Sequence, residues 1–177
     1  MATPGQPPDR QSIHAELERV RTDMHQLVSN ATAGDLRRRT NGTRWTNAQM
    51  LWHMAFGYLL LRRLRVLVRL FGRLPEPFSR AFAAALNAGT RPFHYLNYLG
   101  AVGGALVFHG PRLTRQINHS VERLHRRLDA ESEDAMGRRM HFPVDWDPFF
   151  HDAMTLEQVS SYPIEHYDFH RPQLPLD

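Results

Sequence analysis

The chain has 177 residues, enough for one domain around one sizeable core. It contains no cysteine, which excludes disulfides, thiolate metal sites and a cysteine nucleophile. Its 22 basic residues are all arginine, so a catalytic lysine is excluded too, and the net charge of +4 is scattered beside acids without an aromatic-interleaved basic run, so no nucleic-acid partner is expected.

Residues 1–9 read as a Pro-rich disordered tail, and residues 10–177 as a single domain. "MATPGQPPDR" lacks the apolar run of a signal peptide. The most apolar stretches, 50–61 and 98–108, are shorter than the ~20 residues of a membrane span. A cytoplasmic protein is the expectation.

Ile13, Leu17, Val20, Met24, Leu27 and Ala31 follow alternating steps of four and three, which predicts a first amphipathic helix of about twenty residues. Gly34 and the polar run to Gly42 end it. The same alternation through Met50, Met54, Gly57, Leu61, Leu64, Val68 and Phe71 predicts a second helix. Thr46 with Gln49 three later forms its capping box, and Gly72 and Pro75 close it.

Residues 72–110 are rich in Gly and Pro. "FSRAFAAALNAG" reads as a short helix, and the remainder as a long crossing connection. Pro111 opens a third helix with a stripe of Ile117, Val121, Leu124 and Leu128. After a loop holding "HFPVDWDPFF", a fourth helix starts at Thr155, again with Gln three later, and stops at Pro172. No strand signal is present. The fold class is therefore all-α: a four-helix bundle with a long crossover connection between the second and third helices.

Eleven histidines are a surplus for this length. His166 and His170 lie about 40° apart on the fourth helix, on a face shared with Val159, Tyr162 and Phe169. One inward His is commonly a hydrogen-bonded core residue. Two at this spacing suit either that role or the binding of one divalent ion, because burying two imidazoles without partners is costly. His53, at the edge of the second helix's stripe, offers a third ligand. Pro163, one turn before His166, is expected to kink the helix and either relieves packing or aims the imidazoles. Gln49 and Tyr162, each one turn before a histidine, are candidates for outer-shell support, against plainer roles in capping and packing. Trp45 and Trp52 read as turn or core residues. Asp168 projects away from His166 and is not a ligand candidate.

"RWTNAQMLWHM" followed at long range by "EHYDFHRPQL" resembles the DinB-like superfamily, also described as DinB/YfiT-like metalloenzymes. The resemblance covers roughly residues 40–175, with its motifs at 44–58 and 155–174. It implies a four-helix bundle holding a divalent metal, often zinc or nickel, through three histidines, which here are His53, His166 and His170. Members with known activity include thiol-dependent transferases and a mycothiol-dependent maleylpyruvate isomerase, and family habit favours homodimers. The Gly-rich 72–110 segment departs from the compact pattern.

Three neutral histidines leave a metal position open for water or substrate. The functional expectation is a metal-dependent transferase, isomerase or hydrolase acting on a small-molecule substrate. With no protein thiol, thiol chemistry would require a low-molecular-weight thiol cosubstrate. The alternatives are a structural or inactive metal site, or a helical interaction module using the Arg-rich second helix. The apolar 92–108 segment, "PFHYLNYLGAVGGALVF", points to a homodimer.

Overall fold

A computed structural model describes residues 9–176. Of the expected tail, only Asp9 is among them, and its carboxylate accepts from the Ser12 amide (2.7 Å) to cap helix α1, Arg10–Asn30. The predicted stripe of α1, from Ile13 to Leu27, is buried. The polar run after it contains one turn of helix, α2 (Ala33–Arg37), opened by a Thr32–Asp35 capping box. Gly42, at φ 74°, then reverses the chain, and Thr40 and Trp45 pair across the turn through Thr40 N to Trp45 O (3.0 Å). This turn delivers Trp45 to the start of α3, Asn47–Phe71.

Helix α3 is the central element. It packs on α5 (Thr90–Val107), α6 (Pro111–Asp129) and α8 (Leu156–His170), while α1 packs on α6 and α8. Its apolar stripe is buried from Met50 to Val68, with Phe71 half-buried, and Arg65 is buried too, a charge that no apolar pattern forecasts. The Arg65 guanidinium donates to Glu131 (3.0 Å), to Ser160 Oγ (2.8 Å) and to the Arg127 carbonyl (3.2 Å). Burial disfavours this charge, and Glu131 is the partner that keeps it ionised.

The predicted short helix is α4, Glu76–Ala88. The stretch after it corrects the sequence reading: residues 90–107 are not irregular but form the 18-residue helix α5. Three glycines lower its propensity by about 1 kcal/mol each relative to alanine. Packing offsets this. The Trp52 indole donates to the Gly100 carbonyl (3.1 Å) and stacks on Phe108 (4.3 Å between centroids). A Cβ on Gly104 would overlap that indole, so Gly104 serves close approach rather than flexibility.

Two further corrections fall between α6 and α8. The loop contains a short helix, α7 (Glu133–Met136), and a two-stranded antiparallel ribbon of β1 (Arg139–His141) and β2 (Ala153–Thr155). Each strand has three residues, too few for an alternating pattern to show in sequence. Helix α8 begins at the predicted Thr155–Gln158 capping box and runs without a break through the buried Pro163. Among the described residues the protein is thus mostly helical, with eight helices and one small sheet. No helix among them is long and apolar enough to cross a membrane.

Candidate metal centre

Two capped helices bring three histidines together. His53 projects from α3, two turns after its Thr46 cap, and His166 and His170 from the last turns of α8. One ring nitrogen from each lies within 4.8 Å of the others. His53 and His166 are buried and His170 is half-buried. The Nε2 atoms of His53 and His166 face each other at 3.1 Å. A tetrahedral ion with nitrogen bonds of ~2.05 Å would hold two ligand nitrogens ~3.3 Å apart, so the spacing suits a shared ion.

Burial also sets the protonation state. The His53 imidazole is pushed down to about 3, first by burial and then by the neighbouring His170. His166 is pushed well below its ordinary value by burial, with His53 and His170 adding to the effect. His170 is lowered by burial, opposed by a hydrogen bond to Gln173 and by the charge of Asp147. All three rings are neutral at pH 7 and present lone pairs. They stay neutral below the ordinary histidine value near 6.5 that the unperturbed residue would suggest.

The surroundings orient the rings. His170 Nδ1 donates to Gln173 Oε1 (2.9 Å), which fixes the tautomer and leaves Nε2 to face the cluster. Gln173 lies in the short helical turn Arg171–Gln173 that follows α8. His166 lies against Gly57, whose missing Cβ would sit 3.2 Å from His166 Nδ1. That nitrogen is buried without a hydrogen-bond partner. Gly57 follows His53 by one helical turn, so α3 supplies one imidazole and the space for another. Trp45 covers His53 (4.4 Å between centroids), Tyr98 of α5 stacks beyond Trp45 (6.5 Å), and the Arg44 guanidinium lies 4.7 Å over Tyr98.

The two proposed supporting residues divide. Gln49 serves the cap: its side chain accepts from the Thr46 amide (3.0 Å). Tyr162 packs beside His166 (5.7 Å between centroids), and its hydroxyl donates to Asp147 Oδ2 (2.8 Å). Asp147 also accepts from the Phe149 amide (3.0 Å), and burial raises its carboxyl above the ordinary range. Asp147, Gln173 and the spatial role of Gly57 escape a reading of the sequence, although "VDWDPFF" marks the first of these segments as unusually dense in Asp, aromatic and Pro residues. Phe169 is a correction: it is 51% exposed rather than inward, packing edge-on to Phe149 and His170 at the rim. Asp168 points away as expected, to Arg19 (2.8 Å).

The other histidines with described partners are engaged elsewhere. His14 and His125 stack on the α1–α6 seam, with Asp129 and Glu18 on their outer nitrogens. His25 bonds Asn118 (2.8 Å). His141 is buried between Asp152 (2.9 Å) and Glu76 (3.0 Å), and these two carboxylates raise it above its ordinary value.

The model of the DinB superfamily matches residues 16–174, a span that includes all three clustered histidines. The chain belongs to the DinB superfamily. No curated protein and no solved structure matches it.

Proposed function

We propose that this DinB-superfamily protein is a metal-dependent enzyme in which His53, His166 and His170 hold one divalent ion and leave a coordination position open. The observation that carries this reading is the convergence of three neutral imidazoles from two helices, with two Nε2 atoms at 3.1 Å. Imidazole suits zinc and nickel alike. When bound, the ion would supply Lewis acidity and lower the pKa of a coordinated water or thiol. The chain's own residues do the rest. Gln173 holds the His170 ring in its ligating tautomer. Trp45 shields His53 from water. Asp147, anchored by Tyr162 and the Phe149 amide and near enough for its charge to act on the His170 ring, is the candidate general base. Without cysteine, the nucleophile is a hydroxide or an external low-molecular-weight thiol. The reaction class is therefore thiol-dependent transfer or isomerisation, or hydrolysis, on a small-molecule substrate.

The test is elemental analysis of wild type beside His53→Ala, His166→Ala and His170→Ala, from cells grown with several metals. The expected result is one ion per wild-type chain and sub-stoichiometric metal in each variant. Equal metal in all four proteins would sink the assignment. A second reading, a structural ion, draws on one observation: clefts of about 870 Å³ (between α3 and α6) and about 740 Å³ (around His141) open away from the triad. Chelation discriminates. A structural ion takes much of the stability with it, and a catalytic one does not.

The ring of contacts among α1, α3, α6 and α8 supports a single four-helix bundle domain over residues 10–177, with α4 and α5 forming the crossover. The protein is further proposed to be a cytoplasmic homodimer. Tyr95, Leu96, Leu99, Leu106 and Val107 leave one apolar face of α5 exposed, and a second copy would cover it. Sedimentation of a lone ~20 kDa species at micromolar concentration would contradict the dimer.

A further inference from the structure

The groove of about 870 Å³ between α3 and α6 is lined by seven of the chain's 22 arginines and by no carboxylate. Arg62, Arg63 and Arg69 come from α3, and Arg123, Arg126 and Arg127 from α6. All but Arg69 are exposed, and among the described residues those five form no ion pair. The seventh, Arg65, is buried, and its bonds to Glu131, Ser160 and the Arg127 carbonyl tie the two walls together. The floor is therefore fixed, while among the described residues the five exposed guanidinium groups above it have no ion-pair partner.

Two bland explanations fail on placement. Cations favour helix C-termini, but that effect is confined to the last turn. Arg126 and Arg127 lie there, whereas Arg62 and Arg63 are more than two turns from the end of α3. A solvated surface would intersperse both signs. Here two helices turn same-sign charges toward one concavity, where mutual repulsion costs stability unless an anion occupies it. The groove falls within the size of small-ligand sites, ~300–1,000 Å³. Guanidinium groups bind phosphate oxygens in paired, charge-assisted hydrogen bonds. A flat lipid surface would reach the rim of such a concavity and miss its floor.

We propose that the α3–α6 groove is a binding site for a soluble anion carrying two or more phosphate groups, separate from the histidine cluster. The probe is inorganic tripolyphosphate, titrated calorimetrically into the full-length protein at low and high NaCl. The expected result is saturable one-site binding that weakens as salt screens the charges. Affinity should fall at least about tenfold in Arg62→Gln/Arg126→Gln, the loss expected for removing charge-assisted contacts. It should hold in Arg112→Gln/Arg115→Gln, which removes two exposed α6 arginines outside the groove. Because tripolyphosphate also chelates metal, the titration is repeated on His166→Ala, where groove binding should persist. Absence of binding to wild type would overturn the proposal. So would equal losses in the two double variants, loss confined to His166→Ala, or binding only to phosphatidylserine vesicles.

Discussion

Replacing Gly57 with alanine separates the stability of the fold from the geometry of the metal centre. Glycine in a helix interior costs about 1 kcal/mol relative to alanine, so the substitution favours α3 locally. The new methyl, however, would lie 3.2 Å from His166 Nδ1 and 3.7 Å from its Cε1. Ordinary contact begins near 3.4 Å, so the ring must retreat by at least about 0.2 Å. Overpacking of this kind costs about 1–3 kcal/mol. The net stability change is then between 0 and about −2 kcal/mol, a shift in Tm of no more than about 8 °C for a chain of this size. Ligand positions tolerate only about ±0.2 Å, and outer-contact losses cost about 10–100-fold in affinity. The variant should therefore keep its helical circular dichroism while losing metal affinity by that factor in competition with a chromophoric chelator. A folded Gly57→Ala protein that binds metal within twofold of wild type would refute the reasoning.

Gln173→Ala removes the acceptor that fixes the His170 tautomer, and metal affinity should fall about tenfold or more with little change in Tm; an unaltered affinity would show that the turn after α8 does not orient the ligand. The metal-free protein should be acid-labile in a defined window. His53 and His166 have folded-state values below the unfolded 6.5, so the unfolded chain takes up protons first as pH falls. Their contribution is intact above pH 6.5 and is lost progressively toward pH 3, by up to about 2.7 kcal/mol per pH unit for the two groups. The helical signal should collapse between about pH 6 and pH 4, and His53→Ala should flatten the slope; a pH-independent signal down to pH 3.5 would contradict neutral burial. Glu131→Gln leaves the Arg65 charge buried beside a neutral partner and should destabilise the protein by about 3–5 kcal/mol in urea unfolding, whereas the exposed pair partner Glu16→Gln should change it by less than 1 kcal/mol.

The sequence by itself determined the long helices that carry the site. Stripes with steps of four and three declared α1, α3 and α6, and the Thr46–Gln49 and Thr155–Gln158 boxes marked where α3 and α8 begin, because side-chain capping and apolar periodicity are local properties. The i,i+4 pair His166 and His170 was legible for the same reason, His53 was legible as a third ligand at the edge of the α3 stripe, and the family motif joined the three. The tertiary structure alone decided the rest. The glycines of 100–104 suggested an irregular connection, and only the Trp52 indole packed against them explains a helix there. The β1–β2 ribbon is too short for a pattern of its own and exists through pairing. Gly57 looked like one more small stripe residue until His166 was found against it. Asp147, Gln173 and the two-helix arginine groove depend on contacts between residues far apart in sequence or on different elements. Periodicity records which face of a helix is apolar; it does not record which other helix that face will meet.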